Sequence, residues 1–366
     1  MPLRKIGDVE LLELQGTPDE MGTEHGRLLK KGIQMLIERY VRRSERIFEV
    51  PYDYLVREAQ RCKPFIPDSY ILEMEAIASA SEVPFDELLA MNCIADVDGC
   101  YMQQILRCCN FVVGPPATTD RLFLHGRNLD FPPGGNLLPR TAAIVSRQPA
   151  SADTLPTLAI GWAGFVGMFT GFSAAQITAA EISVPAQDSS VEGVPISCLI
   201  RYGLEHSSSV ADFAQIVKST PRTCGYNLAV SDGKTQTSCG IELTHLLCER
   251  RGPQNGILVV DDVCLCKRTG SSRLSYPAGA FRHARMMELI DGHRGQIDTD
   301  LALTFLKDRY DMAYANPQGR GYNCICNSHT VQSVLFFPAE KRLLISNARV
   351  PAPNGEYREL RTESLW

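Results

Sequence analysis

The sequence predicts an α+β protein in which helices pack against a mainly antiparallel sheet. Residues 17 to about 110 carry apolar side chains at helical spacing, whereas the chain beyond Cys109 changes to short β-rich runs. Further helical patterns are interleaved with those runs, most of which are bounded by glycine, proline, aspartate or serine. The length of 366 residues allows two domains or one large domain with a single core.

The N-terminal helical region opens with a capping signature. Thr17 supplies a cap hydroxyl, Pro18 suits the first helical position, and Glu20 places a carboxylate three residues after the cap. Two further helices are predicted over residues 70–78 and 84–92. We expect these helices to be packing elements.

The remainder of the chain supplies the predicted sheet and its covering helices. Strands are predicted over residues 110–113, 121–125, 141–146, 176–183, 227–231, 256–260, 331–337 and 342–346. Helices are predicted over residues 196–205, 210–218, 281–290 and 298–306.

The composition argues against several classes of partner. Lysine and arginine total 37 against 42 acidic residues, and no block forms the continuous basic stripe that nucleic acid requires. No stretch approaches 18 uninterrupted apolar residues, and the first sixteen residues alternate charged and apolar side chains. We therefore expect a cytoplasmic protein that binds neither nucleic acid nor a membrane.

The 13 cysteines do not form a recognisable metal-binding pattern. Their closest pairs lack the two-residue spacing of a zinc ribbon, and the seven histidines add no ligand spacing. Most of the thiols are expected to be buried and to pack as small hydrophobic groups. The sequence predicts neither a metal nor a cofactor.

The segment with the strongest chemical signal runs from residue 108 to residue 131. Cys109 stands at the head of a predicted strand, and the next strand carries Arg127 and Asp130 in the run HGRNLDF. An arginine raises the thiolate fraction of a nearby thiol, and a carboxylate can orient an amine that serves as base. The spacing also fits a turn with a structural ion pair between Arg127 and Asp130.

Four segments together resemble a known family. They are residues 17–26 (TPDEMGTEHG), 73–92, 125–131 (HGRNLDF) and 324–338. Their order and spacing resemble the acyl-coenzyme A:6-aminopenicillanate acyltransferase-like, or C45 peptidase, branch of the N-terminal nucleophile hydrolases. Acid ceramidase and the bile salt hydrolases are more distant members of that group. The resemblance extends over almost the whole chain.

The resemblance implies a four-layer αββα fold with antiparallel sheets, made as a precursor that cuts itself before a nucleophilic cysteine. Residues 1–108 would form a helical pro-segment and residues 109–366 the catalytic chain, within one structural domain whose fragments remain associated. The freed α-amine, with an unperturbed pKa of about 7.7 to 8.0, would then act as base. The implied substrate is a small-molecule or peptide amide, with an acyl-CoA as a candidate donor.

Two cysteines are candidates for the cut. Asp98, Gly99 and Cys100 resemble a cleavage site of the penicillin-tailoring relatives, but Cys100 precedes Arg127 by 27 residues and is followed by no strand alternation. Cys109 precedes Arg127 by 18 residues and leads directly into a strand. Cys109 is therefore the predicted nucleophile, and Cys100 is interpreted as a packed thiol.

The resemblance also assigns the residues around Cys109. Arg127 would hold the thiolate and Asp130 the α-amine, with Asn128 supporting their turn. Ser173 stands where relatives carry an asparagine in a turn whose backbone N–H donates to the oxyanion, a donor that any residue retains.

Three more residues complete the predicted site. Asp262 occupies the place of an oxyanion-hole asparagine. An ionised carboxylate there would repel an oxyanion, so the Asp262 side chain must be protonated, be turned away or have its role taken by another residue. Asn227 is a candidate replacement, or else a structural residue. Arg282, in a predicted helix, would complete the site, or it could be an exposed helix arginine.

These features predict a self-processing amide hydrolase or acyltransferase that forms a Cys109 acyl-enzyme. The alternative is a non-processing pseudoenzyme or binding scaffold of the same fold, which the departures at Cys108, Asn110 and Asp262 motivate. A third possibility, catalysis by Cys109 in an intact chain, lacks a histidine to replace the amine. Fold alone does not identify the substrate.

Overall fold

The structure is a computed structural model that describes residues 2–101, 108–272, 277–347 and 349–366. Its α-helices within those ranges are α1 (Pro18–Leu36), α2 (Ser44–Phe48), α3 (Tyr52–Cys62), α4 (Asp68–Ser81), α5 (Phe85–Tyr101), α6 (Leu137–Arg140), α7 (Ile196–His206), α8 (Val210–Ser219), α9 (Lys267–Ser271), α10 (Pro277–Gly292) and α11 (Thr299–Leu306).

The strands of the described residues are β1 (Leu3–Ile6), β2 (Val9–Gly16), β3 (Cys109–Val113), β4 (Leu124–Asp130), β5 (Ala142–Pro149), β6 (Thr157–Trp162), β7 (Thr170–Ser173), β8 (Ile177–Ser183), β9 (Tyr226–Asp232), β10 (Thr237–Leu243), β11 (Cys248–Arg251), β12 (Ile257–Val260), β13 (Thr330–Phe337), β14 (Arg342–Ser346) and β15 (Arg358–Arg361).

The strands form two sheets that face each other. One sheet has the order β1-β2-β5-β6-β7-β8-β9-β10-β11, and the other has the order β12-β3-β4-β13-β14-β15. Within the described ranges, neighbouring strands are antiparallel except for the pair β2 and β5. Helices α1, α7 and α8 pack on the nine-stranded sheet, and α10 and α11 pack on the six-stranded sheet. The layers are therefore αββα, as predicted.

The nine-stranded sheet begins with two strands that were not predicted from the sequence. In β2, Leu12 and Leu14 are buried while Glu13 pairs with the exposed Arg4 of β1. This hairpin adds to the sheet through the parallel pairing of β2 with β5. Residues 1–108, predicted as a helical pro-segment, thus also contribute two strands to a sheet of residues 109–366.

The predicted capping signature at Thr17 is confirmed. Glu20 N–H donates to the Thr17 hydroxyl at 3.3 Å, and Thr17 N–H donates to the Glu20 carboxylate at 2.8 Å. α1 then packs along α4, where Gly22 and Gly26 each lie so close to the α4 backbone that a side chain would clash. The glycines at helical spacing therefore allow the two helices to approach closely.

The apolar residues divide into two cores. The larger core lies between the sheets and beneath the N-terminal helices, and it includes Cys108. The smaller core lies between the six-stranded sheet and helices α10 and α11, and it includes Cys109 with Phe111 and Phe305. Among the described residues, no helix is both long and apolar enough to cross a membrane.

Candidate active site

The β3–β4 hairpin places neighbouring side chains on opposite faces of the six-stranded sheet. Cys109 lies opposite Asn128 and Asn110 lies opposite Arg127 in an antiparallel register. Because side chains alternate along a strand, Cys109 and Asn128 point to one face and Asn110 and Arg127 to the other. We call the face toward α10 and α11 the helix face, and the face toward the nine-stranded sheet the sheet face.

On the helix face, Asp130 lies in a network of donors. Thr330 Oγ1 donates to Asp130 Oδ1 at 2.6 Å, and Asn327 Nδ2 donates to Asp130 Oδ2 at 2.5 Å. Arg282 Nη1 lies 3.3 Å from the same Oδ2. Burial raises the pKa of Asp130 to about 6, although Arg282 and the two hydrogen bonds oppose the rise.

Arg282 connects Asp130 to the predicted oxyanion-hole position. Its Nη2 donates to Asp262 Oδ1 at 2.8 Å, so the two carboxylates share one guanidinium. Arg282 is completely buried in α10 and does not lie on an exposed helix face. The carboxylate of Asp262 is therefore turned toward a cation, although its Oδ2 makes no hydrogen bond within the described residues.

A glycine of α10 allows this close approach. A side chain at Gly279 would come within 2.6 Å of the Asp262 carboxylate. The lack of a side chain there leaves room for Asp262 beside the helix, one turn before Arg282.

Cys109 is buried beside this charge cluster. Burial raises the pKa of the Cys109 thiol well above its usual value, with Asp261 and Asp262 adding to the rise and Arg282 opposing it. The thiol is therefore protonated near neutral pH in the intact chain. Of the predicted site residues, the structure brings together Cys109, Asp130, Asp262 and Arg282.

Arg127 lies on the sheet face and has different partners. Its Nη2 lies 3.1 Å from Glu181 Oε1, its Nη1 donates to the Glu181 carbonyl, and its Nε donates to Thr170 Oγ1 at 3.3 Å. Both partners belong to the nine-stranded sheet, on β8 and β7. Arg127 thus links the two sheets, with its side chain fully buried.

Cys108 is the thiol near Arg127. Its Sγ lies 4.0 Å from the Asp130 carbonyl oxygen, where it forms a weak hydrogen bond. Burial raises the pKa of Cys108 to about 12, and the positive charge of Arg127 opposes that rise. For Cys109, the guanidinium that opposes the rise in pKa is instead that of Arg282.

Asn128 holds the hairpin against the helix layer. Its Nδ2 donates to the carbonyls of Leu306 at 2.9 Å and Ile325 at 3.0 Å, and its Oδ1 accepts from Ser333 Oγ at 2.6 Å. Both amide hydrogens and the amide oxygen are thus used by protein groups. This arrangement positions β4 and supports the predicted structural role of Asn128.

Asn227 supports the turn that carries Asp262. Its Nδ2 donates to the carbonyls of Asp261 at 2.7 Å and Val263 at 3.2 Å. The amide hydrogens needed for an oxyanion are therefore directed at the backbone. Asp261 is in turn bonded to His283 Nδ1 at 2.8 Å, which places a histidine at the rim of the cluster.

Ser173 lies at a distance from the cluster along the sheet. The adjacent residue, Phe172, is opposite Thr178 in the sheet, and Thr178 is hydrogen-bonded to His125. His125 lies at the start of β4, whereas Asp130 lies at its other end. Ser173 Oγ is buried and makes no hydrogen bond within the described residues. The structure does not bring Ser173 together with Cys109.

Cys100, the alternative cleavage position, lies near the end of α5. Its Sγ is 3.2 Å from the Sγ of Cys224, and its side chain is half-buried. α5 ends at Tyr101, and residues 102–107, which belong to the segment predicted to lack strand alternation, lie outside the described residues. The prediction that Cys109 opens a strand is confirmed by β3.

Four groups at the hairpin were not predicted as site residues from the sequence. They are Cys108, Asn110, Glu181 and the pair of Asp130 donors, Asn327 and Thr330. Strand alternation alone could have separated Cys108 from Cys109, since adjacent residues face opposite sides. Glu181, Asn327 and Thr330 carry no local signal, because their partners lie more than fifty residues away.

Comparison with known proteins identifies the family of this chain. The family model for acyl-coenzyme A:6-aminopenicillanic acid acyl-transferase matches residues 125–349. The chain belongs to this family. The matched range includes Arg127, Asp130, Asp262 and Arg282, but it begins after both hairpin cysteines.

Individual relatives are distant. The chain is 25% identical over 259 residues to an uncharacterized protein of Archaeoglobus fulgidus, covering 64% of this chain and 43% of that protein. It is 24% identical over 320 residues to the acyl-coenzyme A:6-aminopenicillanic-acid-acyltransferase 40 kDa form of Emericella nidulans, covering 84% and 85%. The chain spans about half the length of several of the curated relatives it matches.

Among solved structures, the chain is similar to a mutant of the conjugated bile acid hydrolase from Clostridium perfringens. The TM-score is 0.48 at 14% sequence identity, covering 70% of this chain and 93% of that one. Within the described residues, no group of three or more potential ligands could hold a metal ion.

Proposed function

We propose that this protein is a self-processing cysteine enzyme that hydrolyses an amide or transfers an acyl group through an acyl-enzyme. The observation that supports it most is the Asp130–Arg282–Asp262 cluster next to the head of β3. Three charged side chains, all buried, meet at the strand end where two thiols begin the hairpin. Structural ion pairs also occur in cores, but this cluster lies beside the buried thiol of Cys109 and acts on its pKa.

The proposed nucleophile is Cys109, as the sequence predicts. In the precursor its thiol would add to the carbonyl of Cys108, and the peptide nitrogen would leave with the thiol proton, giving a thioester. This step would free the nitrogen of Cys109 as an α-amine, and water would then hydrolyse the thioester to a carboxylate and release the thiol. The fragments would be residues 1–108 and 109–366.

The released amine would supply the base that the intact site lacks. Both hairpin thiols are buried with raised pKa values, so neither forms an appreciable thiolate near neutral pH without a proton acceptor. An α-amine with a pKa of about 8 can take the thiol proton, and a buried carboxylate at Asp130 can hold the resulting ammonium. Thiol attack on an amide or thioester would then give the acyl-enzyme.

A specific observation favours Cys108 as a second candidate nucleophile. Of the two hairpin thiols, this is the one whose pKa Arg127 lowers, and Arg127 is the residue predicted to hold the thiolate. Cys108 also contacts the Asp130 backbone. A cut before Cys108 would give residues 1–107 and 108–366. The two candidates share the hairpin and Asp130, but they use different arginines.

The fragments would remain associated after cleavage. β1 and β2 belong to the nine-stranded sheet, and Asp96 of α5 accepts hydrogen bonds from Thr223 and Tyr226 of the larger fragment. Glu73 of α4 forms buried ion pairs with Arg147 at 2.9 Å and Arg201 at 2.6 Å. Separation would expose these buried charges and a large apolar surface.

The test is turnover of a panel of small-molecule amides, peptide amides and acyl thioesters, including an acyl-CoA, by wild type and Cys109→Ala. We expect wild type to release amine or thiol product, and the acylated thiol to be found by peptide mapping on β3. A chain that remains uncut, turns over no member of the panel and takes no acyl label would instead be the non-processing scaffold.

A further inference from the structure

A cavity beyond the end of β4 is lined on one side by three arginines. Its volume is about 510 Å³, and the arginines are Arg39, Arg43 and Arg46 of the α1–α2 segment. The facing wall is the loop of residues 132–135 together with His329 and Tyr322. We call this cavity the arginine pocket.

The three guanidinium groups have no acidic partner among the described residues. The ion pairs of this segment use Arg42, which binds Glu38 and Glu87, and none of them includes a pocket arginine. No carboxylate belongs to the described lining of the cavity. Three cations without a neutralising anion repel one another, so a bound anion would stabilise the arrangement.

The three arginines lie on either side of a break in the helical chain. Arg39 belongs to the turn Ile37–Val41, Arg43 is the non-helical residue that precedes α2, and Arg46 belongs to α2, and all three line the same cavity. The turn Ile37–Val41 is a π-helix, and such turns in α-helices are frequently found at functional sites.

The facing loop is held in place by the same turn. The Tyr40 hydroxyl donates to the Pro132 carbonyl at 2.7 Å, and a side chain at Gly134 would meet the Tyr40 ring at 3.2 Å. Gly134 and Gly135 have φ values of +58° and +74°, which favour glycine. A Cβ at Gly135 would meet nothing within 4 Å among the described residues, so the loop leaves open space beside the arginines.

The pocket lies next to the strand end that carries Asp130. Phe131 N–H donates to the His329 carbonyl at 3.0 Å, and the next residue after His329, Thr330, binds Asp130. From Asn128, which is opposite Cys109, to Pro132 is four residues, or about 13 Å of extended chain. This distance is short enough for an extended substrate group to span from the pocket to the hairpin thiols.

We propose that the arginine pocket binds a multiply charged phosphate group. Guanidinium groups match phosphate oxygens with paired hydrogen bonds, and a phosphate monoester carries about −1.5 to −2 charges near neutral pH. A single carboxylate would leave more of the positive charge unbalanced. The binding site stands on its own geometry, whereas the assignment of the phosphate to the distal end of the substrate rests on the proposed function.

Binding is tested with inorganic pyrophosphate as the probe, by titration calorimetry on the full chain. We expect wild type to bind pyrophosphate, with an affinity that falls as the salt concentration rises. Arg43→Gln should weaken binding about tenfold, and the triple variant R39Q/R43Q/R46Q should abolish it. The control is Arg57→Gln, which removes an exposed arginine of α3 outside the pocket and should bind as wild type does.

The substrate assignment has a separate readout. An acylating probe that carries a diphosphate should label the hairpin thiol faster than its neutral analogue, and pyrophosphate should slow only the charged probe. Equal labelling of the two probes, with pyrophosphate still bound, would make the pocket a site for free phosphate compounds and would overturn its role in the substrate.

Two results would overturn the binding site itself. One is an unchanged pyrophosphate affinity in R39Q/R43Q/R46Q, provided that its circular dichroism matches that of wild type. The other is equal or tighter binding of citrate, which would assign the pocket to polycarboxylates. Neither result depends on turnover, so a failure of this proposal is distinguishable from a failure of the proposed amide chemistry.

Discussion

The two faces of the β3–β4 hairpin carry the same kinds of group in different arrangements. On the helix face, the guanidinium of Arg282 forms ion pairs with two carboxylates, those of Asp130 and Asp262. On the sheet face, Arg127 forms an ion pair with one carboxylate, that of Glu181, and donates a hydrogen bond to the Thr170 hydroxyl. The helix face therefore has an excess of negative charge and the sheet face is balanced, although a cysteine lies beside each.

The charges on the two faces have opposite effects on thiolate formation at the two cysteines. Negative charge beside Cys109 opposes thiolate formation, but it suits an α-ammonium that must be held near the nucleophile. The guanidinium near Cys108 favours a thiolate. Variants that act on one face alone can therefore show which face carries the chemistry.

The largest expected effect is that of removing the nucleophile. Cys109→Ala should slow labelling by an acylating thiol probe by roughly a thousandfold or more, whereas Cys108→Ala should change it only slightly. The physical reason is that the proposed acyl-enzyme forms on the Cys109 thiol. The reversed result would assign the nucleophile to the sheet face, and equal labelling of both variants would remove the hairpin thiols from the reaction.

Removal of the guanidinium should destabilise the helix face more than the sheet face. Arg282→Met leaves two buried carboxylates without a cation and should cost about 3–5 kcal/mol of unfolding free energy in urea titrations. Arg127→Met leaves only the Glu181 carboxylate without a cation, and that carboxylate can become neutral by protonation. We therefore expect a smaller loss of unfolding free energy for this variant. Arg294→Met, which removes an exposed ion pair after α10, should cost about 1 kcal/mol or less. A larger loss for Arg127→Met than for Arg282→Met would contradict the proposed charge difference.

The sheet face should contribute a pH dependence to stability. Burial raises the pKa of Glu181 from 4.5 to about 7, although Arg127 opposes the rise. The folded chain then binds this proton more tightly than the unfolded chain, so the free energy of unfolding falls as pH rises from about 4.5 to about 7, by roughly 3 kcal/mol.

The matching variant is Glu181→Gln, which cannot titrate. Urea unfolding at intervals between pH 4.5 and pH 7 should show a shallower decrease in stability for Glu181→Gln than for wild type. Parallel curves for the two proteins would contradict the raised pKa of Glu181.

The smallest expected effect concerns an unpartnered amide on the sheet face. Asn110 is completely buried, and neither atom of its carboxamide makes a hydrogen bond within the described residues. Asn110→Val should raise the free energy of unfolding by about 1–2 kcal/mol, because it removes unsatisfied polar atoms from the core. Thermal unfolding of the variant measures this, and a loss of stability would indicate a partner for the amide.

The sequence predicted the architecture because the relevant signals are local. The alternation in residues 227–231 and the helical spacing in residues 196–205 correspond to β9 and α7. The hairpin β1–β2 was missed because the charges of Arg4, Lys5 and Glu13 give it the pattern of a surface segment.

The site was predicted less completely because its contacts are distant in sequence. Arg282 meets Asp130 across 152 residues, so its burial could not be read from α10 alone. Alternation along β4 places Arg127 and Asp130 on opposite faces, but the partner of Arg127, Glu181, lies 54 residues away in the second sheet. The roles proposed for Cys109 and its neighbours remain predictions of the sequence and of the family resemblance.

The most direct test of self-processing at the hairpin is the intact mass of freshly purified protein under denaturing conditions, beside Cys108→Ala and Cys109→Ala. We expect fragments of residues 1–108 and 109–366 in wild type and in Cys108→Ala, and an uncut chain in Cys109→Ala. If wild type instead gives fragments of residues 1–107 and 108–366, and only Cys108→Ala stays uncut, the nucleophile is Cys108 on the sheet face. A single uncut mass for all three proteins would contradict self-processing.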